Sequence, residues 1–334
     1  MKRRQFINTS VLSGLGISVG AIGRETKDKN EYEIRGSFSL DDNRMAIHTK
    51  AEVKEIRIFH ITDTHLSMDD QRGEKFRKYS QRMAEAYQVN THFRSGENIS
   101  AEESFKETLI LAKKEGADLI ALTGDIFSFP SQAAIEWAFN SLVETGIPFV
   151  YVSGNHDWHY EGMEGSMQSL REEWTEKRLL PMYQGNNPLF ASYDLNGFRM
   201  VCIDNSTYEI LPEQLEFFRK QLDSGLPLLL MMHIPLYVAS GKSLDLRCGH
   251  PQWEPESNRG LKAQKLEGWR EGGRTGTTMI FRDEVFRSNN LLGIFTGHTH
   301  SPSLDMERGV PQVVTAYNAT AAYSDIKIQS CIGM

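Results

Sequence analysis

Five stretches of the chain are apolar almost without interruption, and each gives way abruptly to residues that ionise or bind metals. They cover residues 56–61, 118–122, 148–152, 228–232 and 291–295. Runs of this length without polar alternation fit strands buried on both faces, as in a parallel sheet covered by helices. The third run leads into Gly154-Asn155-His156-Asp157, where a residue that permits a sharp bend precedes three side chains able to bind a metal or move a proton. The others end in Thr62-Asp63-Thr64-His65, Thr123-Gly124-Asp125, His233 and Thr296-Gly297-His298-Thr299-His300. Ligands of α/β sheets bind beyond the carboxyl ends of the strands, so these side chains are expected to converge.

Helical signals alternate with the runs. Ser100-Ala101-Glu102-Glu103 reads as a capping box, with Phe105, Leu109 and Ala112 on one face and a stop at Gly116. Ser131 caps a second helix that buries Ile135, Phe139 and Leu142 and stops at Gly146. A third, over residues 163–178, carries Met163, Met167, Leu170 and Trp174, a stripe that reads as core. The pattern then changes. Asn196-Gly197 between residues 190–195 and 198–203 is a strong hairpin signal. Pro212 opens a helix through Leu215, Phe218 and Leu222 that Gly225 closes. Short alternation over 34–47 predicts edge strands, and 311–317 with 322–329 read as an antiparallel pair. Two β-rich halves flanked by helices predict an α+β fold, a four-layered αββα sandwich, ahead of a single doubly wound sheet.

Two polar segments interrupt that framework, residues 66–99 and 236–283. Long loops in a compact domain are functional lids or disordered. The second contains Arg247, His250, Trp253, Arg259, Trp269, Arg270 and Arg274, a set suited to covering a substrate; a solvated loop is the plainer alternative. The 334 residues carry a formal net charge of -7, which argues against a general binder of nucleic acid or anionic membrane. Cys202, Cys248 and Cys331 have no zinc or redox spacing, and no structural disulfide is expected, a Cys248–Cys331 bridge being the alternative. Residues 1–23 read as an export signal. Arg3-Arg4 before Phe6-Ile7 and a short apolar stretch resemble a twin-arginine signal, implying a periplasmic or secreted protein. A Sec signal or an uncleaved anchor is the alternative, and the stretch falls short of the about 20 residues that span a bilayer. Residues 24–53 are then linker and edge strands, and 54–330 a single domain carrying both inserts.

Asp63, His65, Asp125, Asn155, His233, His298 and His300 supply nitrogen and oxygen but no thiolate. That donor set suits Mn, Fe or Zn, and its size suits two divalent ions with a shared carboxylate. Taken in order, the motifs Asp63-x-His65, Gly124-Asp125, Gly154-Asn155-His156-Asp157, His233 and Gly297-His298-x-His300 resemble the calcineurin-like metallophosphoesterase superfamily over roughly residues 54–320. The resemblance implies the αββα sandwich. It also implies one metal held by Asp63, His65, Asp125 and His300, and a second by Asp125, Asn155, His233 and His298. His156 would touch the phosphate and help protonate the leaving group. Ser128 stands where purple acid phosphatases carry a tyrosine ligand, and Ser128-Phe129-Pro130 departs from the phosphoprotein phosphatases. The pattern is more similar to bacterial cyclic-nucleotide phosphodiesterases, although the long inserts are atypical. The expected chemistry is hydrolysis of a small phosphomonoester or phosphodiester, by in-line attack of a hydroxide bridging the two cations. Asp157 would orient His156 or cap the turn that follows. The alternatives are a nuclease or nucleotidase of the same fold, and a metallophosphoesterase-like binding module without catalysis. No stable nucleic-acid partner is expected.

Overall fold

The computed structural model describes residues 34–88, 90–238 and 276–331. Residues 1–23, Cys248, Arg247, His250 and Trp253 lie outside the described residues. Among those described, no helix is long and apolar enough to cross a membrane.

The chain opens with an antiparallel pair, β1 (Arg35–Asp41) and β2 (Arg44–Thr49), before the first apolar run forms β3 (Ile56–Ile61). The 66–99 insert is not a structureless loop. It holds a 3₁₀ turn (Gln71–Phe76), helix α1 (Arg77–Glu85) and a short hairpin, β4 (Asn90–Thr91) with β5 (Asn98–Ile99). Then follow α2 (Ala101–Lys114), β6 (Leu119–Thr123), α3 (Gln132–Thr145) and β7 (Phe149–Val152). The capping box at Ser100 forms with both hydrogen bonds, Ser131 caps α3, and Gly146 takes the left-handed conformation at its end, φ 72°.

The helix expected over 163–178 is shorter and interrupted. α4 (Met167–Trp174) widens into a π turn at Thr175–Leu179, and α5 (Leu180–Tyr183) follows. Pro181 has no N–H to continue the ladder, so the break falls before it. The Asn196-Gly197 turn, φ 48° and 99°, joins β8 (Phe190–Leu195) to β9 (Phe198–Ile203). α6 (Pro212–Leu222) ends at Asp223 rather than at Gly225. β10 (Leu228–Met231), α7 (Gly276–Arg287), β11 (Leu291–Thr296), β12 (Ser303–Glu307), β13 (Val310–Val314) and β14 (Ser324–Ser330) complete the described chain. Because α7 begins at Gly276, the end of the second insert is helical instead of loop.

These strands form two six-stranded sheets, ordered β1-β2-β14-β3-β6-β7 and β12-β13-β11-β10-β9-β8. The antiparallel pair expected at the end of the chain does not form. β13 pairs with β11 and β12, whereas β14 crosses to the other sheet and lies between β2 and β3. Alternation shows where a strand is buried but not which sheet receives it.

The sheets pack face to face through Ile58, Ala121, Val152 and Ile326 from one, and Met200, Leu229, Met231 and Phe295 from the other. Outside the first, Phe59, Ile61, Ile120 and Leu122 meet Phe105, Leu109, Ile135 and Leu142 of α2 and α3. Outside the second, Val201, Leu228 and Leu230 meet Leu215, Phe218, Phe281 and Val285 of α6 and α7. Both faces of the central strands are therefore covered, which is why they read as unbroken apolar runs. The result is the αββα sandwich.

Candidate metal centre

The parallel strands β3, β6 and β7 of one sheet and β10 and β11 of the other carry their ionisable residues at their carboxyl ends. Two clusters form there. Asp63, His65 and His300 make one; Asp125, His233 and His298 make the other, and within each the candidate ligand atoms lie within 4.8 Å of one another. In the first, His65 Nε2 and His300 Nε2 are 3.0 Å apart, with Asp63 Oδ1 3.3 Å from His300 and 3.9 Å from His65. In the second, His233 Nε2 is 3.2 Å from Asp125 Oδ2.

Each acid is held by one oxygen and presents the other. The His298 amide (2.8 Å) and the Thr62 hydroxyl (2.7 Å) donate to Asp63 Oδ2, and the His156 amide donates to Asp125 Oδ1 at 2.7 Å. The glycines of the motifs make this possible. A Cβ at Gly154 would overlap Asp125 Oδ1 and its backbone nitrogen, and one at Gly297 would overlap Asp63 Oδ2 and Thr62 Oγ1. The backbone is also forced into an uncommon region, because Asp63, His65, Asp125, His298 and His300 all have positive φ, from 48° to 74°. Such residues cost on the order of 1 kcal/mol or more each and persist only where their surroundings impose them.

Divalent metals fit these residues. Asn155 Oδ1 is buried without a hydrogen-bond partner, and the buried Asp63 Oδ1 and His233 Nε2 face other members of the expected ligand set, His300 and Asp125. Burial of such atoms is costly unless something binds them. His233 Nδ1 lies 2.7 Å from the Thr123 carbonyl, which fixes that nitrogen as the donor and leaves Nε2 with the lone pair a metal needs. Burial lowers the His65 imidazole well below its ordinary range and His298 to about 3, so both present neutral rings. Burial would raise the Asp63 carboxyl, but the His300 hydrogen bond and the His233 charge hold it below the usual carboxylate range. Burial likewise opposes a charge on His233, yet Asp125 and Asp63 push it up to about 10. The two carboxylates thus demand positive charge at this point, which a metal supplies in competition with the proton.

The His156 ring stands perpendicular to His65, centroids 5.1 Å apart, with Nδ1 3.4 Å from the Ser128 carbonyl. Asp157 is engaged with the backbone. Its carboxylate accepts amide hydrogens from Asp125 (2.9 Å), Phe127 (2.8 Å) and Gly154 (2.7 Å), and so ties together the loops after β6 and β7. Burial and the Asp125 charge push this carboxyl up to about 7 against the Gly154 and Phe127 amides. Asp157 is a positioning residue, and the loop it caps precedes it in the chain.

Several neighbours were not legible as site residues. Tyr87 stacks on His65 (3.8 Å, 11° between planes) and Tyr317 on His300 (5.0 Å, 13°). Asn205 Oδ1 accepts the amides of His233 (3.2 Å) and Ile234 (3.0 Å), while its Nδ2 donates to the Ile234 carbonyl at 2.7 Å. One signal for Asn205 was available, since it follows the apolar run of β9 as the other site residues follow theirs. Buried His60 bridges Thr315 Oγ1 and Thr123 Oγ1 at 2.7 and 2.6 Å, a core histidine outside both clusters.

Fold and site together define a class: an αββα sandwich with two adjacent Asp/His clusters, able to hold metals, where its two sheets meet. The chain belongs to the calcineurin-like phosphoesterase family, whose model matches residues 56–302. It is 24% identical over 199 residues to a "Probable cyclic nucleotide phosphodiesterase" of Fibrobacter succinogenes, covering 59% of this chain and 63% of that protein. A protein of the same description from Psychrobacter arcticus is 25% identical over 215 residues, covering 60% of this chain and 63% of its own. Among solved structures the chain is similar to a dimetal phosphatase from Danio rerio, with TM-score 0.48 and 10% identity over 81% of this chain and 91% of that one.

Proposed function

We propose that the protein is a dinuclear-metal-dependent phosphoesterase. The observation that carries this reading is the convergence of two Asp/His clusters at the shared edge of the two sheets. Asp63, His65 and His300 would hold one divalent ion, and Asn155, His233 and His298 the other, with Asp125 between them. When bound, such ions withdraw charge from a phosphoryl group and activate water at neutral pH. The residues supply the rest. Amide donors fix both carboxylates before substrate arrives, so no reorganisation is needed during the reaction. His156 lies beside the first cluster and would give a proton to the leaving group.

The curated relatives carry a cyclic nucleotide phosphodiesterase description, which favours a small phosphodiester as substrate. Protein purified with Mn should hold two metal ions per chain and hydrolyse bis(p-nitrophenyl) phosphate faster than p-nitrophenyl phosphate. Activity should disappear with chelator and return with Mn. Full activity in a metal-free preparation would refute the proposal, and a preference for the monoester would refute its diesterase part.

A further inference from the structure

The first insert brings a residue to the metal clusters that no motif contains. Tyr87 follows α1 and lies with its ring flat on His65, centroids 3.8 Å apart and planes 11° from parallel. His156 and His300 stand at the edges of this stack, 6.5 and 5.6 Å from the Tyr87 ring and turned from it by 89° and 74°. The tyrosine therefore occupies the corner between a proposed metal ligand and the proposed proton donor. It is half-buried.

The insert is anchored against the site. The Phe93 amide donates to the Thr320 carbonyl at 3.0 Å, and the Phe93 ring meets Tyr323 edge-on at 6.2 Å.

We propose that Tyr87 is a specificity-determining residue that receives a planar ester group of the substrate. The inference rests on the phosphoesterase reading and adds the class of group that the phosphate carries. A tyrosine offers a flat apolar face with little side-chain freedom to lose, and aromatic pairs gain about 0.5–1.5 kcal/mol beyond area alone. The ring also packs on His65, so a merely supporting role must be told apart from a recognising one.

Binding of phenylphosphonate and methylphosphonate to the full chain loaded with Mn separates the two roles, because neither probe depends on turnover. Wild-type protein should prefer phenylphosphonate. Tyr87→Ala should reduce that preference by about 3- to 10-fold, with methylphosphonate affinity and Mn content unchanged. Tyr87→Phe should retain the preference. An undiminished preference in Tyr87→Ala would overturn the inference while leaving the phosphoesterase reading intact. Equal weakening of both probes, or loss of Mn, would show that the ring only supports His65 and would overturn it as well. Failure of wild-type protein to bind either probe would instead overturn the metal-dependent reading beneath it.

Discussion

At the scale of single residues, the proposed mechanism separates groups that hold charge from the group that moves a proton. His156 contributes its backbone amide to Asp125 and its ring to the reaction space. A substitution of the side chain leaves the amide in place, so His156→Ala should retain both metals while turnover falls by roughly 10²–10⁴. Metal analysis beside steady-state kinetics checks this, and loss of metal in step with activity would make the ring a ligand. Seven candidate ligands were legible because each follows an apolar run and carries a donor type that metals favour. The role of Asp157 was not, since capping three amides and orienting a ring leave the same letter in the sequence. Nor was the positive φ at five ligand positions, where the surrounding hydrogen bonds overrule the residues' own preference.

At the scale of elements, the loop after β3 is held from the opposite side by the turn between two strands whose pattern reads as an antiparallel pair but which enter different sheets. Between β13 and β14 the 3₁₀ turn Asn318–Thr320 crosses beneath Asp63 and His65. The Asn318 amide donates to the Thr62 carbonyl (2.8 Å) and the Ala319 amide to that of Asp63 (3.1 Å). The Asn318 side chain is fully buried, accepts the Thr64 hydroxyl at 3.0 Å, and donates to Thr108 Oγ1 (2.8 Å) and the Ala322 carbonyl (2.9 Å). The apolar runs and caps were readable because periodicity and end signals are local. This crossing was not, because it depends on which sheet accepts β14. Thr64→Val keeps the shape but leaves Asn318 Oδ1 without its donor, a loss of about 1–3 kcal/mol for a buried acceptor. We expect that loss in urea unfolding with chelator present, together with weaker Mn binding at one site of two in a titration. Unchanged Mn affinity at both sites would show that the turn supports the fold without shaping the cluster.

At the scale of the molecule, each metal cluster draws on both sheets. Asp63 and His65 leave the first sheet and His300 the second; Asp125 leaves the first, and His233 and His298 the second. Bound ions would therefore tie the two halves of the sandwich together at one end, where two buried carboxylates otherwise raise each other's cost of ionisation. Anything that binds the folded state alone stabilises it by mass action, about 2.7 kcal/mol per site at a hundredfold excess over Kd. For a chain of this size that amounts to roughly 5 °C per site in Tm. Scanning calorimetry should show Tm rising with Mn concentration and returning on chelation. Asp125→Asn is the informative variant. An asparagine Oδ1 can still accept the His156 amide, but buried His233 loses its counter-charge, so the metal-free variant should melt below metal-free wild type. Its rise with Mn should be smaller, because the oxygen facing His233 no longer carries a charge. An equal rise in variant and wild type would remove Asp125 from the metal centre, and with it the physical link between the two sheets.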